Sequence, residues 1–223
     1  WIGLVGSEMC IRDRFRREVT GIFLAIAASI LVLFSSKEVF LSVMILVFLF
    51  LLYELIKVTK KFNGLFWIQI FFTLLTFFFL PVFEKMRELF FLAISISALT
   101  DAGAYYVGVK IGKTKIFPKT SPNKTLEGLI GGNLLAVFCT AIIFLYFSYI
   151  FELEISLLTF ILFVWISSIA SICGDYLQSK FKRSQNIKDS GNILPGHGGI
   201  SDRVDSHIVC LPIFFSLISL ISV

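Results

Sequence analysis

The length of the apolar runs constrains the fold of this chain more than any other feature of its sequence. Hydrophobic residues make up 57% of the 223 residues and include 26 Phe, and the mean hydropathy is +0.90. They come in blocks of about 16 to 22 residues, and a helix of that length can cross the hydrocarbon core of a bilayer. A transmembrane barrel would instead show short segments of alternating polarity. The sequence therefore predicts an all-α, polytopic integral membrane protein.

Seven apolar blocks predict about seven transmembrane helices in a single membrane domain. The first and third blocks are short for a full crossing, which helix tilt or an error in their bounds would explain. No internal repeat or low-complexity linker divides the sequence. The blocks cover residues 19–34, 39–56, 65–80, 89–109, 128–149, 156–175 and 206–222.

The first fourteen residues differ from the rest of the chain. The sequence does not start with Met, and WIGLVGSEMCIRDR resembles translated sequencing-adapter sequence. We therefore expect residues 1–14 to be a non-native leader and residues 15–223 to form the membrane-embedded domain. On this interpretation a native N-terminus, and a helix with it, could lie outside this sequence. The alternative is a short native amphipathic segment.

Basic residues orient the predicted helices. Lys and Arg are enriched in the cytoplasmic loops of membrane proteins, and here they cluster before the first block and after the second, fourth and sixth. This alternation predicts a cytoplasmic N-terminus and places loops 110–127 and 176–205 together on the cytoplasmic side. The net charge of +5 therefore gathers on one face, where anionic lipids and phosphorylated metabolites are found.

An acidic residue interrupts the fourth block in the segment TDAGAYYVG, residues 100–108. An ionised Asp101 at membrane depth is costly unless it has a partner, so it is a candidate functional residue. The alternative is a structural hydrogen bond between helices.

The first of the two long loops contains FPKTSPNKTLEGLIGG, residues 117–132. Pro118 and Pro122 prevent a continuous helix there, and Thr125 could cap a helix that begins near Leu126. A helix start beside lysines is a natural phosphate site, because its unpaired N–H groups point at the anion. The alternative is an ordinary cap in a positive-inside loop. Asn123 and Lys124 lie beside this predicted helix start.

Acidic residues flank the second long loop. Asp175 ends the sixth block, and Asp202 and Asp205 precede the seventh. The two blocks must be antiparallel, so these carboxylates can meet, and without thiol or histidine ligands they suit a hard cation such as Mg²⁺. A cation would also relieve the repulsion between them.

Basic residues and glycines complete this loop. The cations suit phosphate oxygens, and a tight glycine turn lets backbone N–H groups reach a ligand. The sequence therefore predicts metal-assisted phosphoryl chemistry beside a membrane. The cations are Lys182, Arg183, Lys188 and Arg203, and the turn contains Gly191, Pro195, Gly196, Gly198 and Gly199.

Two residues in the loop have open roles. His197 could contact a phosphate, act as an acid or base, or brace the glycine turn, and ligation of a metal is the less favoured role. Asp189 could pair with a neighbouring cation or bind metal. His207, at the start of the last block, is interpreted as interfacial.

The motifs SKFKR (179–183), KDSG (188–191), LPGHGG (194–199) and DRVD (202–205) resemble, in order and spacing, the signature of the phosphatidate cytidylyltransferases (CDP-diglyceride synthases). SPNKTLEG and TDAGAYYVG resemble upstream motifs of that family, and the resemblance extends over residues 15–223. The chain departs from the usual pattern at Ala102, Asn123, Leu126 and Gln178. None of these changes removes an aspartate, although Gln178 weakens the argument for an extra acidic ligand.

The resemblance implies the reaction of CTP with phosphatidic acid to give CDP-diacylglycerol and pyrophosphate at the cytoplasmic face of the cell membrane. It implies Mg²⁺, with a second cation as an option, and no nucleic-acid partner; a homodimer stays open. Asp175 and Asp202 would hold the metal. The implied catalytic residues are Asp175, Asp202, Lys182, Arg183, Lys188, Asp189, His197, Arg203 and Asp205. The implied substrate-binding residues are Ser121, Pro122, Asn123, Lys124, Gly196, Gly198, Gly199 and Asp101.

Other functions remain as rivals. A CDP-archaeol synthase-like enzyme or a CTP-dependent polyprenol kinase would use similar groups on a different lipid. A transporter or channel should carry ionisable residues at mid-depth in several spans, whereas here only Glu54 and Asp101 are deep. A scaffold without activity would not account for the charge density of the last loop.

Overall fold

The computed structural model describes residues 23, 25–118, 120–151, 155–187, 189–191 and 199–221, and nearly all of them are helical or in short connections. The leader predicted at residues 1–14 lies outside the described residues. The helices are α1 (Ala25–Phe34), α2 (Lys37–Val58), α3 (Gly64–Phe78), α4 (Leu80–Lys85), α5 (Arg87–Ile111), α6 (Leu126–Phe151), α7 (Leu157–Ser184) and α8 (His207–Ser219), with strands β1 (Lys115–Phe117) and β2 (Ser121–Thr125) between α5 and α6.

The apolar helices confirm the prediction of a mostly helical, multi-pass membrane protein. Among the described residues, five segments are long and apolar enough to cross a bilayer. The helices at the first and last predicted blocks, α1 and α8, are shorter, so seven crossings and a cytoplasmic N-terminus stay predictions. The five segments are Lys37–Val58, Gly64–Lys85, Arg87–Ile111, Leu126–Tyr149 and Leu157–Ser184.

Short polar side chains start four of these helices. Ser36, Asn63 and Ser156 accept hydrogen bonds from backbone N–H groups in the first turns of α2, α3 and α7. Thr125 Oγ1 accepts from the N–H of Gly128 at 3.2 Å, as expected for the cap of a helix that begins at residue 126. Such caps satisfy N–H groups that have no partner within the helix.

The hydrophobic core lies towards the end of the bundle where α2 and α5 begin. Phenylalanine rings from four helices stack there: the centroid of Phe83 lies 4.7 Å from that of Phe90 and 4.6 Å from that of Phe215, and Phe40 packs edge-on against Phe90. All four rings are at most 3% exposed. This packing leaves the opposite end of the bundle to polar residues.

Hydroxyl groups join α5 to α7 on the way to that opposite end. Ser97 Oγ lies 3.0 Å from Ser171 Oγ, and Thr100 Oγ1 donates to Ser168 Oγ at 3.0 Å. All four side chains are buried. Hydrogen bonds of this kind hold membrane helices together where no water can compete.

The other end, which we call the polar end, comprises residues 54–64, 101–126 and 175–207 as far as the structure describes them. Here α2, α5 and α7 end and α3, α6 and α8 begin. The α2–α3 connection is fixed to α7 by Gln185, whose Oε1 accepts from the N–H groups of Lys60 at 2.8 Å and Lys61 at 2.9 Å. Asn63 Nδ2 also donates to Ser184 Oγ at 3.0 Å.

The antiparallel hairpin of β1 and β2 is a feature that the all-α prediction did not include. Lys115 pairs with Thr125, and Phe117 pairs with Ser121. The Phe117 ring stacks on Tyr176 of α7 with centroids 4.3 Å apart. The hairpin is thereby attached to the helix that carries Asp175.

Candidate active site

Two lysine–aspartate pairs dominate the polar end. The first joins the hairpin to α7: Lys124 of β2 forms an ion pair with Asp175 Oδ2, and Ser179 Oγ donates to Oδ1 of the same carboxylate at 3.2 Å. The Lys124 and Asp175 side chains are 25% and 21% exposed. Both groups can therefore be reached from solvent, as a binding site for a charged ligand requires.

The second pair is more deeply buried. Lys182 Nζ donates to Asp202 Oδ1 at 2.7 Å, and the side chains are 12% and 9% exposed. The backbone N–H groups of Ser190 and Gly199 donate to Asp202 Oδ2 at 2.8 and 3.1 Å. Burial opposes ionisation of Asp202, but these hydrogen bonds and the Lys182 charge outweigh it and lower its pKa. Asp202 is thus an anion that connects Lys182 of α7 to the backbone of Ser190 and Gly199.

Asp205 lies within reach of two further carboxylates. Burial, followed by the negative charges of Asp175 and Asp101, raises the pKa of Asp205 above its usual range, although Lys182 and the N–H of Ser206 oppose the rise. That N–H donates to Asp205 Oδ1 at 2.8 Å. The three carboxyl groups therefore lie close enough between α5, α7 and the start of α8 for Asp175 and Asp101 to oppose the ionisation of Asp205.

Asp101 makes an interhelical contact. Ser206 Oγ, just before α8, donates to Asp101 Oδ2 at 2.9 Å. This is the structural hydrogen bond that the alternative interpretation expected. A substrate-binding role for Asp101 stays a prediction, because Asp101 also lies near Asp175 and Asp205.

The remaining predicted residues lie around these pairs. Ser121 is half-buried, and the other two hairpin residues, Pro122 and Asn123, are exposed. Arg183 is exposed and donates to the carbonyl of Ile187 at 3.1 Å, which closes the end of α7. Asp189 and Arg203 are exposed. Lys188, Gly196, His197 and Gly198 lie outside the described residues.

Comparison of the sequence with known protein families indicates what this arrangement belongs to. Residues 20–221 match the model of the cytidylyltransferase family. The chain belongs to the cytidylyltransferase family. The match covers both lysine–aspartate pairs and confirms the family resemblance of the motifs at residues 179–205.

Individual relatives of this chain carry a more specific name. It is 43% identical over 123 residues to the phosphatidate cytidylyltransferase of Bacillus subtilis (strain 168), which covers 55% of this chain and 44% of the relative. It is 45% identical over 115 residues to that of Staphylococcus aureus (strain COL), covering 52% of this chain and 43% of the relative. The alignments therefore span less than half the length of the curated relatives.

The carboxylates at the polar end fit Mg²⁺ by their chemistry. Mg²⁺ prefers oxygen ligands and is commonly held by one or two carboxylates together with water and substrate phosphates. Within the described residues, no three acidic, histidine or cysteine side chains are arranged to hold a metal by themselves. The mutual repulsion of Asp101, Asp175 and Asp205 would be relieved by a cation. Asp202 already accepts three hydrogen bonds, so it is the more constrained of the two predicted ligands.

The sequence did not indicate which residues hold loop 176–205 in place by hydrogen bonds. Glu54 of α2 accepts hydrogen bonds from the N–H groups of Ile200 and Ser201, and Gln178 Nε2 donates to Ser201 Oγ at 2.6 Å. Both side chains are 1% exposed. The signal that could have found Glu54 is a single acid within an apolar block, close to the end that the charge pattern assigns to the cytoplasm.

Proposed function

We propose that the chain transfers CMP from CTP to phosphatidic acid, giving CDP-diacylglycerol and pyrophosphate for phospholipid synthesis. The observation that carries this proposal is the meeting of Lys124–Asp175 and Lys182–Asp202 at one end of a bundle of apolar helices. Cations beside carboxylates suit a nucleoside triphosphate, and apolar helices suit a lipid acceptor. The names of the relatives support the same reaction.

The reaction that we propose is an in-line displacement. An oxygen of the phosphatidate phosphate attacks the α-phosphorus of CTP, the bond from that phosphorus to the β-bridging oxygen breaks, and pyrophosphate leaves with the electron pair. A phosphate monoester is largely ionised at neutral pH, so no strong general base is needed. Charge neutralisation and positioning therefore carry most of the catalysis.

The chain's own residues would divide this work. Lys124 and Lys182 would neutralise charge on the phosphates, with the exposed Arg183 and Arg203 at the rim. Lys188 stays a further cation predicted from the sequence. Asp175 and Asp202 are the ligands that the sequence predicts for Mg²⁺. Asp205, which lies near Asp175 and Asp101, is a further candidate ligand. When bound, Mg²⁺ would supply positive charge to the triphosphate oxygens and orient them.

The lipid and the nucleotide would reach the site from different phases. Large apolar side chains are exposed along the helices, for example Phe138 at 65% and Trp165 at 54%, which suits contact with acyl chains. We propose that the polar end faces the cytoplasm, because the basic loops lie there. CTP would then arrive from water and phosphatidic acid from the bilayer. A homodimer is not needed for this scheme.

The test is conversion of labelled CTP and phosphatidic acid by purified, detergent-solubilised protein, with Mg²⁺ and with a chelator. Asp202→Asn keeps the shape of the side chain and removes its charge, so we expect product to disappear. Glu84→Gln is the matched control, since Glu84 pairs with Lys37 and Arg87 at the far end of the bundle. CTP binding without product from phosphatidic acid would instead indicate a different lipid, such as archaeol or polyprenol derivatives.

A further inference from the structure

A buried carboxylate from the N-terminal half of the chain holds the last loop of the candidate site. Glu54 lies about one turn before the end of α2 and is 1% exposed. Its Oε1 accepts a hydrogen bond from the N–H of Ile200 at 3.0 Å, and its Oε2 accepts from the N–H of Ser201 at 2.7 Å. One side chain therefore fixes two successive peptide groups of a segment far away in sequence.

Two glycines fit closely around the same carboxylate. A Cβ atom added at Gly191 would lie 2.8 Å from Glu54 Oε1, and one added at Gly199 would lie 2.7 Å from each carboxylate oxygen. Contacts that short are not tolerated without movement of the neighbouring atoms. Glu54 thus lies against two glycines of this loop, Gly191 and Gly199.

The turn that Glu54 holds also holds Asp202. The N–H of Gly199 donates to Asp202, whereas the next two N–H groups donate to Glu54. Three successive backbone N–H groups therefore serve two anions, which resembles the amide nests that bind anions elsewhere. Displacing Glu54 would free the peptides next to Asp202 and loosen the geometry of the Lys182–Asp202 pair.

Helix packing alone does not require a charged side chain at position 54. Glu54 sits on an apolar helix, where burying an anion is costly. Charge-assisted hydrogen bonds from two backbone N–H groups offset that cost. A neutral side chain would pack in the same space but would not accept both hydrogen bonds, because a glutamine amide presents only one acceptor atom.

We propose that Glu54 is a positioning residue for cytidylyl transfer: it holds residues 199–202 so that Asp202 and Lys182 face the reacting phosphates. It does not touch substrate and acts through the backbone of the loop. This inference rests on the proposed function, and it assigns part of the active-site geometry to a helix that contains none of the predicted catalytic residues.

The experiment compares Glu54→Gln with Glu38→Gln. The control removes the same charge from the exposed first turn of the same helix. We expect Glu54→Gln to lower kcat by about tenfold to a hundredfold, as misplacement of catalytic groups does. The KM for CTP should change by less than about threefold, because the phosphate-binding cations remain. Amide hydrogen exchange at Ile200 and Ser201 should accelerate in Glu54→Gln and stay at the wild-type rate in Glu38→Gln.

Gly191→Ala gives a second route to the same perturbation should Glu54→Gln fail to fold. Its added methyl group would push against Oε1, so we expect the same accelerated exchange and loss of kcat. Unchanged exchange in a folded variant, or faster exchange with wild-type kcat, would overturn the proposal. If wild-type protein makes no CDP-diacylglycerol, the proposed function fails, while the exchange comparison still decides whether Glu54 holds the loop.

Discussion

Lys124 on the hairpin and Asp175 on α7 form an ion pair that solvent can reach, whereas the Lys182–Asp202 pair is nearly closed to solvent. This difference implies different roles. An accessible pair can open and present its lysine to a phosphate at little cost, because exposed ion pairs contribute little stability. A buried pair whose carboxylate accepts three hydrogen bonds holds its partners in place, because leaving either charge without a partner is costly.

Removal of the accessible lysine should damage catalysis and leave the fold intact. We expect Lys124→Ala to lower kcat/KM for CTP by about a hundredfold, as loss of one charge-stabilising donor does in other enzymes, with little change in thermal stability. Lys115→Ala is the matched control, since Lys115 is an exposed lysine on the other strand of the same hairpin. Equal losses in the two variants would show that general positive charge, and not Lys124 itself, supports activity.

Disruption of the buried pair should reduce stability as well. We expect Lys182→Met and Asp202→Asn each to destabilise the protein by about 3 kcal/mol, because each leaves a buried partner uncompensated. The double variant should lose less than the sum, since the second substitution removes the orphaned charge. Thermal unfolding in detergent, followed for all four proteins of the cycle, measures this coupling. Strictly additive losses would contradict a direct interaction between the two side chains.

The sequence predicted what depends on local pattern. Apolar block length indicated the membrane helices, and Thr125 was a candidate cap for a helix beginning near Leu126, because both signals lie within a few residues. Motif spacing predicted which charged residues form the site, and that assignment stays a prediction. The charge pattern predicted that loops 110–127 and 176–205 lie on the same side of the membrane. In the structure, Lys124 of the first loop pairs with Asp175 at the edge of the second.

The features that sequence reasoning missed depend on contacts between distant segments. Glu54 meets Ile200 across 146 positions, and no local pattern indicates which peptide N–H groups a buried acid will accept from. The hairpin escaped prediction because β1 and β2 are three and five residues long and lack the alternation of a half-buried strand. Gly199 was expected to offer its N–H to a ligand, but in the structure that N–H donates to Asp202.

The aromatic stack between hairpin and helix should matter for CTP binding through Lys124. Phe117→Ala removes the ring that packs on Tyr176, a contact of about 1 kcal/mol. We expect the hairpin to loosen and the KM for CTP to rise about fivefold. Tyr176→Phe keeps the stack and should retain wild-type KM. An unchanged KM in Phe117→Ala would indicate that backbone pairing alone positions Lys124.

Close packing of α5 against α6 sets the relative position of Asp101 and the hairpin, and it depends on glycine. A Cβ atom at Gly132 would lie 2.3 Å from the carbonyl oxygen of Thr100 and 2.9 Å from the backbone nitrogen of Ala104. Because both are backbone atoms, the helices themselves would have to separate, at a cost of about 1 to 3 kcal/mol.

Gly132→Ala should therefore lower both the thermal unfolding midpoint and the activity, because separation of α5 and α6 would weaken their packing and displace Asp101. Gly64→Ala is the matched control: no atom lies within 4 Å of an added Cβ at this first residue of α3. That variant should be neutral or slightly stabilised, because alanine has less freedom than glycine in the unfolded chain. Equal stability of the two variants would show that α5 and α6 can separate without strain, and that their spacing does not determine the geometry at Asp101.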